Sequence, residues 1–258
     1  MGLFTLIAGP CAIEDFDTCM TIAEHCKALA KEFDLDFIFK GSYKKANRTK
    51  LDSFSSIGEE SALGIMGLIG HQLKIKTITD VHDVESVHKA QKWVDYLQIP
   101  AFLCRQTELL IAAGKTGKGV NIKKGQFASP ESMEYAYQKV LSTGNKNILL
   151  TERGTTFGYN YLVTDMTSIP KMRKFCDNVI MDCTHSVQIP NQSSGITGGD
   201  PEMIETMALS AIASGASGLF IEVHPHPYLS SSDAGSILEL DKLRNILEKA
   251  VRIKKILS

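Results

Sequence analysis

Short apolar, β-prone runs recur along the chain at 3–8, 37–39, 75–78, 94–99, 120–122, 148–150, 179–181 and 218–223. Between them lie segments whose apolar residues repeat at helical spacing: Ile22, Cys26, Leu29 and Ala30; Val84, Val87 and Ala90; Met203, Ile204, Met207 and Ala208. Two capping signals, Ser129-Pro130 and Asp200-Pro201, predict helix starts after the fifth and seventh runs. A strand and a helix repeated eight times is the pattern of a (β/α)8 TIM barrel. The spacing of about 32 residues per unit suits a barrel of roughly 250 residues. A doubly wound open sheet fits the same periodicity, because alternation alone does not establish closure. With no Gly/Ser linker, low-complexity tract or shift in composition, residues 1–258 read as one domain.

Composition narrows the partners. The 258 residues are 43% hydrophobic and 22% charged, with a formal net charge of -1, so no global basic field points to nucleic acid. The apolar run at 3–8 falls well short of the roughly 20 residues that span a bilayer and lacks a basic flank, which argues against a membrane segment. Six scattered cysteines without a CxxC pair read as reduced thiols, and hence as a cytoplasmic chain.

In a barrel the chemistry gathers where the strands end, at their C-terminal face. In this chain those ends are charged almost throughout while the strand interiors are apolar. Lys40, Lys45, Arg48, Arg105, Lys123, Lys124 and Arg153 form a cationic set suited to a polyanionic ligand. Cys11, His185, Glu222 and Asp233 mix thiol, imidazole and carboxylate, donor types that suit a borderline divalent ion such as Zn(II), Fe(II), Mn(II) or Co(II). Spacing alone leaves Cys11 open as a packing residue, and His224 and His226 compete as ligands. The chain carries neither a P-loop nor a G-x-G-x-x-G after a strand.

Several longer strings are more specific: Ile-Ala-Gly-Pro-Cys at 7–11, Phe-Lys-Gly-Ser at 39–42 with Lys-Ala-Asn-Arg at 45–48, and Leu-Gln-Ile-Pro-Ala-Phe-Leu-Cys-Arg-Gln-Thr at 97–107. Val-Asn-Ile-Lys-Lys-Gly-Gln-Phe at 120–127, Leu-Thr-Glu-Arg-Gly-Thr-Thr-Phe-Gly-Tyr at 150–159 and Thr-His-Ser-Val-Gln at 184–188 follow in order. Over essentially its whole length the chain thus resembles the 3-deoxy-D-manno-octulosonate-8-phosphate synthases. The resemblance implies a (β/α)8 barrel, usually a homotetramer, that condenses phosphoenolpyruvate with D-arabinose 5-phosphate in lipopolysaccharide synthesis. By the same resemblance Lys40, Ser42, Lys123 and Arg153 surround phosphoenolpyruvate, with Gln98, the Ala101 backbone and Arg105 near its phosphate. Lys45, Asn47, Asp80, Phe102 and Gln188 line the arabinose 5-phosphate channel, and Arg48 and Thr49 reach the sugar phosphate across a subunit boundary. Lys40, Lys45, Asn47, Lys123, His185 and Asp233 are the catalytic set.

The family divides into metal-dependent members with cysteine at the first ligand position and metal-independent ones with asparagine there. Cys11 places this chain with the former, and Cys11, His185, Glu222 and Asp233 become the expected metal ligands. Departures from the pattern are local. Lys44 stands where Asp is common and Gly41 where Ser or Ala is, which reads as a more mobile and more basic loop after the second strand. Three alternatives remain: the sister heptulosonate phosphate synthases that take erythrose 4-phosphate, a Schiff-base aldolase using Lys40 or Lys123, and a non-catalytic phosphosugar-binding barrel. Ala46-Asn47-Arg48-Thr49 in place of the sister group's Lys-Pro-Arg-Thr favours the longer sugar.

Overall fold

The apolar runs become strands buried on both faces, as parallel strands covered by helices must be. A computed structural model describes residues 4–47, 53–157, 161–190 and 198–257. Eight parallel strands form the barrel: β1 (Thr5–Gly9), β2 (Asp36–Lys40), β3 (Lys76–Asp80), β4 (Tyr96–Ile99), β5 (Gly119–Lys123), β6 (Ile148–Glu152), β7 (Val179–Asp182) and β8 (Gly218–His224). Pairing of β1 with β8, Thr5 opposite Gly218 through Gly9 opposite Glu222, closes the sheet and excludes the open alternative.

Helices α1 (Phe16–Phe33), α2 (Glu59–Leu73), α3 (Val84–Ala90), α4 (Thr107–Lys115), α5 (Met133–Leu141), α6 (Ser168–Met172), α7 (Ile204–Ala213) and α8 (Leu243–Ile256) alternate with the strands. Both proline signals lie a turn ahead of the helix proper. Pro130 sits in a turn where the Ser129 hydroxyl accepts from Ser132 N at 3.2 Å, and α5 starts at Met133. Pro201–Met203 is a 3-10 turn leading into α7. Proline fixes φ for a turn start but does not choose between 3-10 and α continuation. Two expected strands start later than read: Ile75 precedes β3, and Val94 and Asp95 precede β4.

Side chains alternate across each strand, and the alternation separates two cores. Leu6, Phe39, Leu97, Val120, Leu150, Met181 and Leu219 pack outward under the helices. Ile7, Ile38, Ile78, Tyr96, Leu149, Ile180 and Phe220 form a separate cluster inside the barrel. Two residues further along those strands stand Gly9, Lys40, Asp80, Gln98, Thr151, Asp182 and Glu222, so a polar layer caps the apolar one.

Glycine is required where backbone crowds this layer. A Cβ on Gly9 would overlap the Lys40 carbonyl oxygen, whereas one on Gly41 would meet only the Ile13 and Met66 side chains. Short paired segments extend the mouth beyond the strand ends: Thr155–Phe157 with Tyr161–Val163, Gln188–Ile189 with Gly198–Gly199, and Leu238–Glu239 alongside the end of β8.

Because the obstacle at Gly9 is backbone, which cannot turn aside, Gly9→Ala should destabilise the barrel by about 3 kcal/mol. A thermal midpoint within a degree of the parent would contradict the crowded geometry.

Candidate active site

Each inward polar residue arrives at the end of a strand, and the register decides which of them touch. Glu222 on β8 and Asp80 on β3 flank Lys40 on β2. Lys40 Nζ lies 3.0 Å from Glu222 Oε1 and 3.5 Å from Asp80 Oδ2, and donates to Ser42 Oγ at 2.7 Å and to the Cys11 carbonyl at 3.3 Å. Ser42 Oγ donates to Asp80 Oδ2 at 2.5 Å. Burial works against the Lys40 ammonium, yet Glu222 and Asp80 outweigh it and hold it charged. The same balance runs the other way at Asp80 and Glu222: burial alone would raise both carboxyls, but Lys40 leads a set of cations that keeps them well below the usual carboxylate range.

A second charged group lies across the mouth. Lys123 on β5 is ion-paired with Asp182 on β7 and its Nζ sits 3.7 Å above the centre of the Phe220 ring. Asp182 also takes His185, whose Nδ1 lies 2.9 Å from Asp182 Oδ2. Asp182 thus holds the imidazole through Nδ1, which Lys123 Nζ also approaches at 3.3 Å, and turns Nε2 towards Glu222 Oε2 at 3.7 Å. Burial would raise the Asp182 carboxyl; His185 and Lys123 more than offset this and hold it anionic.

Cys11, Glu222 and Asp233 bring one donor atom each within 4.8 Å of one another. Cys11 Sγ is 3.2 Å from Ser232 Oγ and 3.3 Å from Asp233 Oδ2. Burial and then Glu222 push its thiol far up, so the sulfur stays protonated unless a cation displaces the proton. Glu222 Oε2 is buried with no hydrogen-bond partner. A thiol and two carboxylates around an orphaned oxygen, with an imidazole nitrogen beside Glu222, fit a divalent cation by donor chemistry. Three of the four expected ligands, Cys11, Glu222 and Asp233, gather at one corner, while His185 lies outside that group and approaches it only through Glu222, 3.7 Å from its Nε2. His224, buried, instead accepts from His226 N at 3.0 Å through its Nδ1.

The cationic set divides on inspection. Lys124 is not a free cation: its Nζ is 3.3 Å from Glu152 Oε1 and bonds to the Gly125, Ala128 and Gly154 carbonyls and the Thr155 hydroxyl. Lys44 is met by Glu59 at 2.7 Å, so the extra basic charge expected in the loop after β2 is neutralised. Arg153 is buried, donates through Nη2 to Gln188 Oε1 at 3.1 Å, and leaves Nη1 buried without a partner. Burial lowers the pKa of its guanidinium, though Asp182 and Glu152 support the charge. Lys45 is half-buried, and the Glu222, Asp233 and Asp80 carboxylates keep it charged against the effect of burial. Ala101 is buried at the start of a 3-10 turn, while Phe102, Arg105 and Asn47 are exposed at the rim rather than gathered into the buried cluster. Arg48 and Thr49 lie outside the described residues.

Three contributors escaped the sequence reading. Asp182 orients His185, Ser232 touches Cys11, and Asn121 on β5 donates to Gln98 Oε1 at 2.9 Å while accepting from the Thr151 hydroxyl at 2.7 Å. Gln98 Nε2 in turn donates to Asp80 Oδ1 at 2.6 Å. A carboxylate three residues before the histidine was a usable signal for Asp182, whereas nothing local marked Asn121.

The DAHP synthetase I family matches residues 2–258. A protein of Koribacter versatilis named 2-dehydro-3-deoxyphosphooctonate aldolase is 47% identical over 253 residues, covering 97% of this chain and 91% of that one. Proteins of the same name from Desulfatibacillum aliphaticivorans and Geobacter sulfurreducens are 46% and 44% identical, each alignment covering 97% of this chain and 92% of the relative. With a closed barrel of parallel strands, this ligand corner and near full-length similarity, the chain belongs to the DAHP synthetase I family, alongside relatives that carry the name 2-dehydro-3-deoxyphosphooctonate aldolase.

Proposed function

We propose that the barrel mouth condenses phosphoenolpyruvate with D-arabinose 5-phosphate and water to give 3-deoxy-D-manno-octulosonate 8-phosphate and phosphate, in lipopolysaccharide synthesis. One observation carries the reading beyond the relatives' name: the same mouth holds a buried donor awaiting an anion, Arg153 Nη1, and a buried acceptor awaiting a cation, Glu222 Oε2. An anionic substrate and a metal ion would satisfy both.

In this reading Arg153, Lys123, Ser42 and Lys40 hold the carboxylate and phosphate of phosphoenolpyruvate, with Gln98, the Ala101 backbone and Arg105 towards the phosphate. Lys45, Asn47, Asp80, Phe102 and Gln188 line the acceptor channel. C3 of the enol forms the new bond to the aldehyde carbon, whose oxygen takes up a proton. Water adds at C2, one of its protons passing by way of the Asp233 carboxylate to the former aldehyde oxygen, and the C2–O bond to phosphate then breaks, the leaving phosphate taking the C2 hydroxyl proton as the ketone forms. Fixed cations lower the cost of holding two anions together and of the charge that develops between them. A divalent ion such as Zn(II), Fe(II), Mn(II) or Co(II), bound by Cys11, His185, Glu222 and Asp233, would polarise the aldehyde or lower the pKa of the attacking water. Lys40 held as an ammonium between Glu222 and Asp80 is a poor imine-forming amine, which weighs against Schiff-base chemistry there.

A homotetramer in the cytoplasm completes the proposal. Its support is the expected role of Arg48 and Thr49 across a subunit boundary and the six buried, unpaired thiols. No described helix is long and apolar enough to cross a membrane.

Phosphate release measured with phosphoenolpyruvate against arabinose 5-phosphate and erythrose 4-phosphate in parallel should favour the five-carbon sugar by at least about tenfold; preference for erythrose 4-phosphate would move the chain to the sister activity. Chelation should abolish turnover and Mn(II), Co(II) or Zn(II) restore it, and full activity after exhaustive chelation would remove the metal from the mechanism. Cation affinity should rise with pH, since Cys11 must lose its proton to bind. By calorimetry Asp182→Asn should weaken that affinity about 10- to 100-fold, as loss of a ligand's orienting partner does. Unchanged binding would mean that Asp182 does not orient His185.

A further inference from the structure

We propose that Asn121 is a positioning residue of the active site, which fixes the orientation of the Gln98 carboxamide and hence which of its two ends meets the Asp80 carboxylate. The inference deepens the proposed reading, in which Asp80 lines the acceptor channel.

The argument is one of donors and acceptors in a place without slack. Asp80, Gln98 and Asn121 are register neighbours on β3, β4 and β5: Asp80 pairs with Gln98, and Gln98 with Asn121. Gln98 is 1% exposed, and Asn121 and Thr151 are fully buried. An ionised carboxylate can only accept, so the nitrogen of Gln98 must face Asp80, where the distance is 2.6 Å. The Gln98 oxygen is thereby turned to β5 and needs a donor, which Asn121 Nδ2 supplies at 2.9 Å. That turns the Asn121 oxygen to β6, where the Thr151 hydroxyl donates at 2.7 Å. Every link is dictated by the one before it, and reversing any amide would bring oxygen against oxygen.

At the other end, Asp80 Oδ2 accepts from Ser42 at 2.5 Å and Lys40 continues the row to Glu222 at 3.0 Å. The row thus spans the mouth from β6 to β8, and both of its amides, Gln98 and Asn121, bond to neighbours other than the expected metal ligands. Asparagine is also depleted from strand interiors, where it packs poorly. Its presence in mid-strand calls for a polar partner on each side, and it has both.

Asn121→Asp keeps the size and shape but replaces the donor facing Gln98 with an acceptor. Thr151→Val removes the terminal link and leaves that donor in place. In the phosphate-release assay Asn121→Asp should raise KM for arabinose 5-phosphate about 30-fold with kcat within threefold of the parent. Thr151→Val should change KM less than threefold. Should Asn121→Asp not fold, as judged by its thermal midpoint, Asn121→Ala takes its place with about a tenfold rise expected. A KM within twofold of the parent, or equal losses in Asn121→Asp and Thr151→Val, would reduce Asn121 to a packing residue and overturn the proposal.

A readout that needs no turnover is the Gln98 side-chain 15N resonance, assigned by its disappearance in Gln98→Glu. It should shift in Asn121→Asp and hold in Thr151→Val, and an unmoved resonance in Asn121→Asp overturns the inference. A parent chain inactive with both sugars would defeat the proposed reaction while this measurement still decides the orientation.

Discussion

Burying a charge in a protein interior is tolerated only when an opposite charge or a full set of hydrogen bonds compensates it, and the mouth of this barrel is built around that requirement. Lys40, Lys123 and Lys124 are each buried beside a carboxylate, on Glu222 and Asp80, Asp182 and Glu152 respectively. A neutral overall composition is therefore repeated at the scale of the site. The mouth is less a field of positive charge than a set of closed pairs, and its chemistry is concentrated where the pairing is incomplete. Arg153 Nη1 and Glu222 Oε2 are such places.

Barrel geometry makes the pairing possible. With a two-residue alternation, the side chain one step beyond each inward apolar residue lands in the same layer on neighbouring strands. Ile38 is followed inward by Lys40, Ile78 by Asp80, Tyr96 by Gln98, Ile180 by Asp182 and Phe220 by Glu222. The apolar layer beneath serves as a floor, and Phe220 meets the Lys123 ammonium directly with its ring face. Gly9 contributes by lacking a side chain, which lets the β2 backbone come close enough for Lys40 to enter the layer.

Much of this was legible in the chain. Strand order and the charged strand ends follow from periodicity, and the resemblance, not spacing, pointed to Cys11, Glu222 and Asp233, which the fold brings together. Function attached to single residues was less legible, because a sequence lists charges without their partners. Lys124 counts as a cation in the sequence but is fully engaged by Glu152 and three carbonyls. Arg105 stays at the rim. Asn121 lies in the middle of a β-prone run, and its role depends on register with Gln98 and Thr151, residues 23 and 30 positions away in the chain. Asp182 did leave a signal, a carboxylate three residues before the histidine, but only the fold shows that it meets the ring.

The proposed metal site asks four side chains, from the ends of β1, β7 and β8 and the loop after β8, to hold one cation. Anomalous diffraction at the zinc edge, on crystals of the zinc-loaded protein, tests it directly. The account predicts one strong peak per chain, within bonding distance of Cys11 Sγ, His185 Nε2 and the Glu222 and Asp233 carboxylates. A mouth without a peak at full zinc loading, or an ion held elsewhere by other residues, would contradict it.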